Sequence, residues 1–598
     1  MVAPSSRAKA GSIKPLGALS KSTSAPFSLK RLAVSLHLTR GAGLLLLASA
    51  ALLVAWSFVV PIFEGPDEPA HWDYVRYLRV NKKLPVYGPF SVEANSPPLY
   101  YLAVAPFANY SDIPPRVVWA DATGTAAPIL PRYYQNSYSD YVLYWPIRTV
   151  RLVTVLISLI TIVFCYAAGV EVSGRESTGL LAAGLVAFLP QFTFRGMNIS
   201  NDAMVTAISS VVLYLIVRMI KRGASVRLVI GCAVAMAAAF LSKATALILP
   251  IPFAIAVVTE KVNWKQKAKW ISALLISLSL AAPWLIRNQA LYGDPLAKKA
   301  MYTAVGSLIH QKSVASRYFV DAFAGKLATS FIGVFGWGTV SSPRWVYYIY
   351  WLLASLGALG LVCGIIRKRI DIRMGVVLAV IPVLALLVVV EINLMFDQPQ
   401  GRYMFTALPA LALLIAIGLE NLPRLPTHLS PWLIAGLGFL NLYILLRVVL
   451  PAYWPPPRMS FPGGVKFLTA NQSGSAPNDR SDPLAGKLES IVKTDVPADQ
   501  YNYFTFTMKG TPDRGIVNGA LYLEFCPGAS EQHKIQFSWV CDGGVHPVIV
   551  PLWSYPEWGG RLTQVRIAPV DTAGKDSGLS IETGSIVMVS SITSTRGP

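Results

Sequence analysis

Along its first 450 residues the chain repeats long apolar runs broken by short polar stretches, and after that the period changes. Eleven runs, near 41–63, 148–170, 178–194, 202–219, 227–242, 245–259, 268–286, 345–366, 374–394, 403–419 and 431–450, approach the ~20 residues a helix needs to cross a bilayer. The division around Ser242-Lys243 is the weakest of them. Beyond about residue 451, apolar and polar positions alternate at 501–508, 520–525, 534–540, 547–552, 562–567 and 579–589, with turn residues between. That spacing is typical of a β-sandwich. The pattern predicts an all-α membrane domain of about eleven transmembrane helices over 41–450. An all-β, jelly-roll-like sandwich follows over 451–598.

Composition agrees with a membrane protein: 54% of residues are hydrophobic and 14% charged, and the mean hydropathy is +0.49. Charge then fixes an expected orientation. The arm before residue 41 carries Arg7, Lys9, Lys14, Lys21, Lys30, Arg31 and Arg40 with no acid, which predicts a disordered cytoplasmic segment. The apolar run after it is too long for a cleaved signal peptide and reads as an anchor. Threading from there puts the short basic loops at 218–227, 261–269 and 367–373 inside. The 64–147 and 288–344 loops and everything after 450 fall outside. The net charge of +21 is thus a topology signal, and a nucleic-acid partner is not expected.

Four cations break that rule: Arg195, Lys243, Arg287 and Arg402 stand at or near the outer ends of predicted spans. A charge inside a span costs on the order of 2.5–3.5 kcal/mol, so it usually has a partner or a task. Each can snorkel or pair locally, for example Arg195 with Asp202; together they suit a lipid-linked phosphate. The first outer loop opens with Glu64-Gly65-Pro66-Asp67-Glu68-Pro69-Ala70-His71. Pro69 predicts the first turn of a helix through Leu78, with Trp72, Val75 and Leu78 on one face, lying along the membrane surface. Asp67 and Glu68 fall at its start, as helix caps or as an ionised base able to take a proton from a sugar hydroxyl. Glu68-x-x-His71 also has metal-binding spacing, which leaves metal dependence open. Further on, Glu93 precedes Pro97-Pro98-Leu99-Tyr100-Tyr101, whose aromatic pair can anchor at the interface or stack on a sugar or isoprenoid.

The order of an Asp-Glu pair after the first span and Pro-Pro-Leu-Tyr-Tyr in the same loop resembles the GT-C superfamily of polytopic membrane glycosyltransferases. Leu189-Pro190-Gln191, Asn201-Asp202-Ala203, Lys243-Ala244-Thr245, Pro283-Trp284-Leu285-Ile286-Arg287-Asn288, Phe335-Gly336-Trp337 and Gln400-Gly401-Arg402-Tyr403 are similar to a bacterial family of membrane proteins within it. The resemblance covers residues 41 to about 450. It implies an enzyme of the bacterial plasma membrane that moves a sugar, outside the cytoplasm and usually with inversion, from a polyprenyl phosphate to an envelope glycan or lipid. Carried over by position, Asp67 is the first candidate for the base and Glu68 the second, and His71 orients the acceptor or the carboxylate. Lys243, Arg287, Arg402 and Arg195 become donor-phosphate residues. Glu93, Tyr100, Tyr101, Gln400 and Tyr403 are substrate contacts.

No cofactor is required by the sequence. There is no glycine-rich phosphate loop and no zinc-type cysteine spacing. A lipid-linked-sugar flippase and a polysaccharide polymerase or ligase are the rival classes; the flippase would typically show internal repeats and broken helices. In the β region Trp539, Trp553, Trp558, Tyr501 and Tyr503 offer stacking faces for sugars or form a core. Cys526 and Cys541 can pair there if the compartment oxidises thiols.

Overall fold

The computed structural model describes Leu36, residues 38–62, 64–87, 93–108, 145–304, 312–336, Gly338, residues 340–423 and 430–453, and beyond that the strands alone. The basic arm to residue 35, the stretch 109–144, Trp337, the 471–486 loop, Tyr501, Trp553 and Trp558 lie outside the described residues.

Every predicted apolar run is helical, but not every one is a full span. Among the described residues eight helices are long and apolar enough to cross a membrane: Arg40–Val59, Trp145–Ser173, Asn201–Arg222, Trp264–Tyr292, Arg344–Ile366, Ile372–Asn393, Gly401–Asn421 and Ser430–Tyr453. A ninth is formed if Glu176–Ala187 and Pro190–Met197, bent by 65°, count as one. The bend has a local cause, since Leu189 precedes a proline and takes an extended backbone, φ −68° and ψ 117°. The runs on either side of Ser242-Lys243 are shorter helices, Val226–Ser242 and Ala244–Val258. Lys243 between them is extended, at φ −159° and ψ 137°. Against the expected eleven runs, eight or nine helices among the described residues have spanning length; the bend at Leu189 falls inside a run that reads as continuous, and the break at Lys243 falls at the division already drawn there.

Glycine lets two of these helices touch backbone to backbone. A Cβ on Gly360 would lie 1.8 Å from the Gly418 carbonyl oxygen, so Arg344–Ile366 and Leu408–Asn421 meet at a distance no side chain allows. Charged ends sort to one pole of the bundle. Arg222 holds Glu171 at 2.5 and 2.8 Å, tying the 218–227 loop to the end of helix Trp145–Ser173, and Arg373 reaches Glu260 at 2.5 Å, tying the 367–373 loop to the start of the 261–269 loop. Asn201–Arg222 runs from that pole to Asp202 at the other.

Beyond the bundle, Ser490–Pro497, Arg561–Ala568, Gly515–Cys526 and His533–Cys541 form a four-stranded antiparallel sheet in that order. Tyr503–Gly510 pairs with Val545–Pro551, Ile581–Thr583 and Ile586–Val589 in a second. The strand Ser490–Pro497 was not in the alternation, and 579–589 is two strands rather than one. Register separates the two outer cysteines: Cys541 lies opposite Gly515, eleven residues along the strand from Cys526. At about 3.3 Å per residue that is some tens of ångströms, far beyond the reach of a disulfide.

Candidate active site

The segment that carries Asp67 is held from below by two arginines. Helix Arg40–Val59 ends in carbonyls without intrahelical partners, and Arg151 supplies donors to Ser57 at 3.1 Å, Val60 at 2.8 Å and Pro61 at 2.7 Å. Arg148 donates to the Ser57 carbonyl as well. The remaining face of Arg151 forks onto Glu68, with Nε to Oε1 at 2.7 Å and Nη2 to Oε2 at 2.6 Å. Both side chains are fully buried, and the Ile199 N–H donates to Glu68 Oε1 at 3.1 Å.

Between these clamps Asp67 adopts a left-handed conformation, φ 64° and ψ 0°. This costs a non-glycine residue roughly 1–2 kcal/mol, with Asp among the better tolerated. Arg195 helps to hold it, donating from Nη1 to the Pro66 carbonyl at 3.1 Å. Gly65 passes so close to Asn198 that a Cβ would lie 2.5 Å from its side chain. The helix Glu68–Asn81 starts as predicted with Pro69 in its first turn, but the Asp67 side chain does not cap it. The carboxylate turns the other way and pairs with Arg402, 335 residues on in the chain.

Arg402 is the link to a larger cluster. Its Nη1 stands 3.8 Å from Asp202, which also accepts from Arg195 at 3.2 and 2.7 Å and from the Lys243 ammonium. The Tyr403 ring lies between two of the cations, 5.4 Å from Lys243 Nζ and 5.2 Å from Arg402 Cζ. Two local features place these groups. Gly401 seats against the Phe331 backbone, where a Cβ would lie 2.2 Å away, and so delivers Arg402 inward. The break at Lys243 frees its side chain from a helix face. The cluster's open side is Asp67, 30% exposed, and Lys243, 18% exposed; Asp202 and Arg195 are at 1%. Three cations face two carboxylates, so the group carries one surplus positive charge.

A third acid borders it. Glu93, held by Ser96 Oγ at 2.7 Å, lies 3.8 Å from His71 Nδ1. Burial, reinforced by the Asp67 charge, pushes its carboxyl up to about 7. Asp67 goes the other way. Burial alone would raise it, but the Arg402 charge and hydrogen bond, with help from Arg195, hold it below the usual carboxylate range. Burial pushes His71 down to about 3, so the imidazole is neutral, and its Nδ1 meets the Tyr101 hydroxyl at 2.7 Å.

The structure thus brings Asp67, Lys243, Arg195, Arg402 and Tyr403 together, with His71 and Glu93 at the edge. Several expected members are elsewhere. Glu68 points into Arg151, so the Glu68-x-x-His71 pair does not form a metal-binding face. Among the described residues no group of three His, Cys, Asp or Glu is placed to hold a metal ion. Tyr100 and Tyr101 are fully buried, Tyr100 against Thr154 and the Ser200 N–H, Tyr101 stacked on Tyr74 at 3.8 Å. Their rings are core, with no face for a sugar, because Trp72, Val75 and Leu78 pack the helix inward over them instead of along a membrane surface. Arg287 donates to the Pro85 carbonyl at 2.6 Å and stacks on Trp284, apart from the cluster in its contacts. Gln400 opens the short helix Gly401–Ala407 through its carbonyl, which accepts from Tyr403 N at 3.2 Å.

Two residues central to this geometry were not among the sequence candidates for chemistry. Asp202 entered only as a local partner of Arg195, though the motif Asn201-Asp202-Ala203 contains it. Arg151 carried a usable signal, a cation inside a predicted span.

Residues 141–286 match the family model of dolichyl-phosphate-mannose-protein mannosyltransferases. The GT-C resemblance carried by the motifs on either side of that segment agrees with the match. A comparison with curated proteins returns no match. The solved structures it is similar to include ArnT from Cupriavidus metallidurans bound to undecaprenyl phosphate, at 15% identity over 69% of this chain and 74% of that one, TM-score 0.39. The arabinosyltransferase EmbB from Mycobacterium smegmatis matches at 10% identity over 96% and 66%, TM-score 0.35. The archaeal oligosaccharyltransferase AglB from Archaeoglobus fulgidus, in complex with an inhibitory peptide and a dolichol-phosphate, matches at 14% over 70% and 56%, TM-score 0.42. Likenesses this loose carry no argument about the site.

Proposed function

We propose that the chain is a glycosyltransferase of the bacterial plasma membrane that transfers a sugar from a polyprenyl-phosphate donor to an envelope glycan or lipid, with inversion, on the outer side. The observation that carries this reading is the convergence of Asp67 with Arg402 and Lys243 on the partly open side of one cluster. The family match supports the donor class, since its description names a dolichyl-phosphate-linked sugar. The outer location is supported by the basic loops, which gather at the opposite pole from Asp202. In this reading the strands after residue 453 form an exported sandwich domain, an acceptor-positioning or glycan-binding module.

The chemistry is a single displacement. Asp67 takes the proton of an acceptor hydroxyl, whose oxygen bonds to the anomeric carbon as the bond from that carbon to the phosphate oxygen breaks. The electron pair leaves with the polyprenyl phosphate, which Lys243 and Arg402 stabilise. Without donor, Arg402 neutralises Asp67 and keeps it a weak base. An arriving phosphate competes for the guanidinium and releases the carboxylate, so basicity appears only when a donor is in place. His71, neutral and bound to Tyr101, orients the acceptor side. Arg195 and Asp202, both buried, keep the cation array in position.

The helix breaks at Leu189 and Lys243 also suit a flippase for the same lipids. The test is sugar transfer and lipid translocation measured together in vesicles carrying purified Asp67→Asn protein. Lost transfer with unchanged translocation separates the two activities in favour of the enzyme. Full transfer by Asp67→Asn defeats the proposal.

A further inference from the structure

A second group of charges lies next to the site and has no role in the displacement above. Lys312 Nζ sits 2.6 Å from each oxygen of Asp397 and 4.5 Å from the centre of the Tyr318 ring. That ring is fixed in turn, its hydroxyl donating to Asn393 Oδ1 at 2.5 Å. Asn393 also accepts from Gln398 N at 2.9 Å and donates to the Gln398 carbonyl at 3.0 Å, so the turn after helix Ile372–Asn393 is rigidly tied. Lys326, on helix Ala324–Gly333, faces the same carboxylate and the Lys312 ammonium. Burial, opposed by Asp397 and reinforced by Lys312, pushes it down to about 8. Two ammonium groups thus share the field of one carboxylate in a half-buried setting, and an added anion relieves their mutual repulsion.

The same turn joins this group to the reaction centre. The Tyr403 hydroxyl donates to Gln398 Oε1 at 2.5 Å, one residue from Asp397. Ser330, one helical turn beyond Lys326, donates to the Pro399 carbonyl and accepts from Gly401 N, both at 2.9 Å. Tyr403, whose ring faces Lys243, is thus one hydrogen bond and one residue away from the carboxylate that Lys312 and Lys326 share.

We propose that Lys312 and Lys326 form a second anion-binding subsite that holds a phosphate or carboxylate on the acceptor while its hydroxyl faces Asp67. The assignment to the acceptor rests on the transferase reading; the anion site itself does not.

Inorganic phosphate titrated calorimetrically into the full chain in phosphatidylcholine nanodiscs tests it. The wild-type protein is expected to show two binding events. Lys326→Met weakens one by about tenfold or more, Lys243→Met weakens the other, and Lys326→Arg keeps both. Occupancy of the Lys326-dependent event falls as pH rises through about 8, where the ammonium loses its proton, and Lys326→Arg removes that fall. Lys312→Gln should act on the same event as Lys326→Met, with a melting curve confirming the fold. If neither substitution at 312 or 326 changes the titration, the subsite does not exist. Repetition in nanodiscs containing phosphatidylglycerol decides the source. Persistence of the event supports a group on the acceptor, and its loss to lipid competition overturns the acceptor assignment. Asp67→Asn should keep both events while transfer is lost, so failure of the subsite and failure of the transferase reading give different results.

Discussion

Asp67 and Glu68 are adjacent in the chain, both paired with arginine, and built for opposite ends. Glu68 has Arg151 as its counter-charge, in a bidentate pair closed to solvent that also ties down the end of the first span. Asp67 has a partner shared with another acid, a left-handed backbone, and nearly a third of its side chain exposed. A closed one-to-one pair is frozen, because removing either member strands the other charge. A shared pair with an open side can exchange partners at little cost. The difference teaches that in a membrane bundle a buried charge is not by itself a functional group; the sharing and the opening mark one.

The largest expected effect follows from the open pair. Asp67→Asn should lower transfer by on the order of 100- to 10,000-fold, the range for a lost general base. Its melting temperature should stay within a few degrees of wild type, because the amide still accepts from Arg402. Rates with a polyprenyl-phosphate sugar, read beside a melting curve, check both halves. Wild-type activity in Asp67→Asn would erase the contrast.

The closed pair should fail differently. Glu68→Gln leaves Arg151 buried without a counter-charge and should destabilise the fold by roughly 3–5 kcal/mol. Transfer per folded molecule should change only a few-fold. The double variant Glu68→Leu/Arg151→Met should recover much of the stability lost in the single one, since an apolar pair removes the stranded charge. Denaturation in detergent measures this, and a Glu68→Gln protein of normal stability but no activity would move Glu68 into the chemistry.

Arg402 sits between these cases. Arg402→Lys keeps the charge but loses the fork that reaches Asp67 and Asp202 together. The donor KM should rise by about 10- to 100-fold, the worth of one charge-assisted hydrogen bond, with a smaller loss in kcat. An effect on kcat alone would make Arg402 a partner of Asp67 only.

The sequence marked the open pair better than the closed one, for a physical reason. Asp67, Lys243 and Arg402 stand where a periodic apolar pattern is interrupted, so each announces itself. Arg151 interrupts a span too, yet its partner and its carbonyl contacts come from a different helix, and no local spacing encodes them. The same limit explains the aromatic pair. Pro-Pro-Leu-Tyr-Tyr is legible as a feature, but only packing against Tyr74 and Thr154 turns the rings inward. Hydrophobicity located the long helices of the bundle and the division at Lys243, while the bend at Leu189 escaped because it departs from the helix by backbone angle with apolar residues on both sides.

The smallest effect concerns Glu93, which reports on whether Asp67 carries a charge beside it. Burial and that charge raise its carboxyl from 4.5 to about 7, so the folded protein holds this proton more tightly than the unfolded chain. The sign follows: the contribution to stability is complete below about pH 4.5 and is lost as the pH rises through about 7. For a group 22% exposed beside other charges, about 1–2 kcal/mol survives screening. Denaturant titrations between pH 5 and 8 should show that decline in wild type, and Glu93→Gln should flatten it and raise stability at the alkaline end. In Asp67→Asn the decline should shrink and move to lower pH, because the charge that helped to raise Glu93 is gone. An unaltered slope in Asp67→Asn would mean that the two carboxyls do not feel one another, and the open pair would lose its third acid.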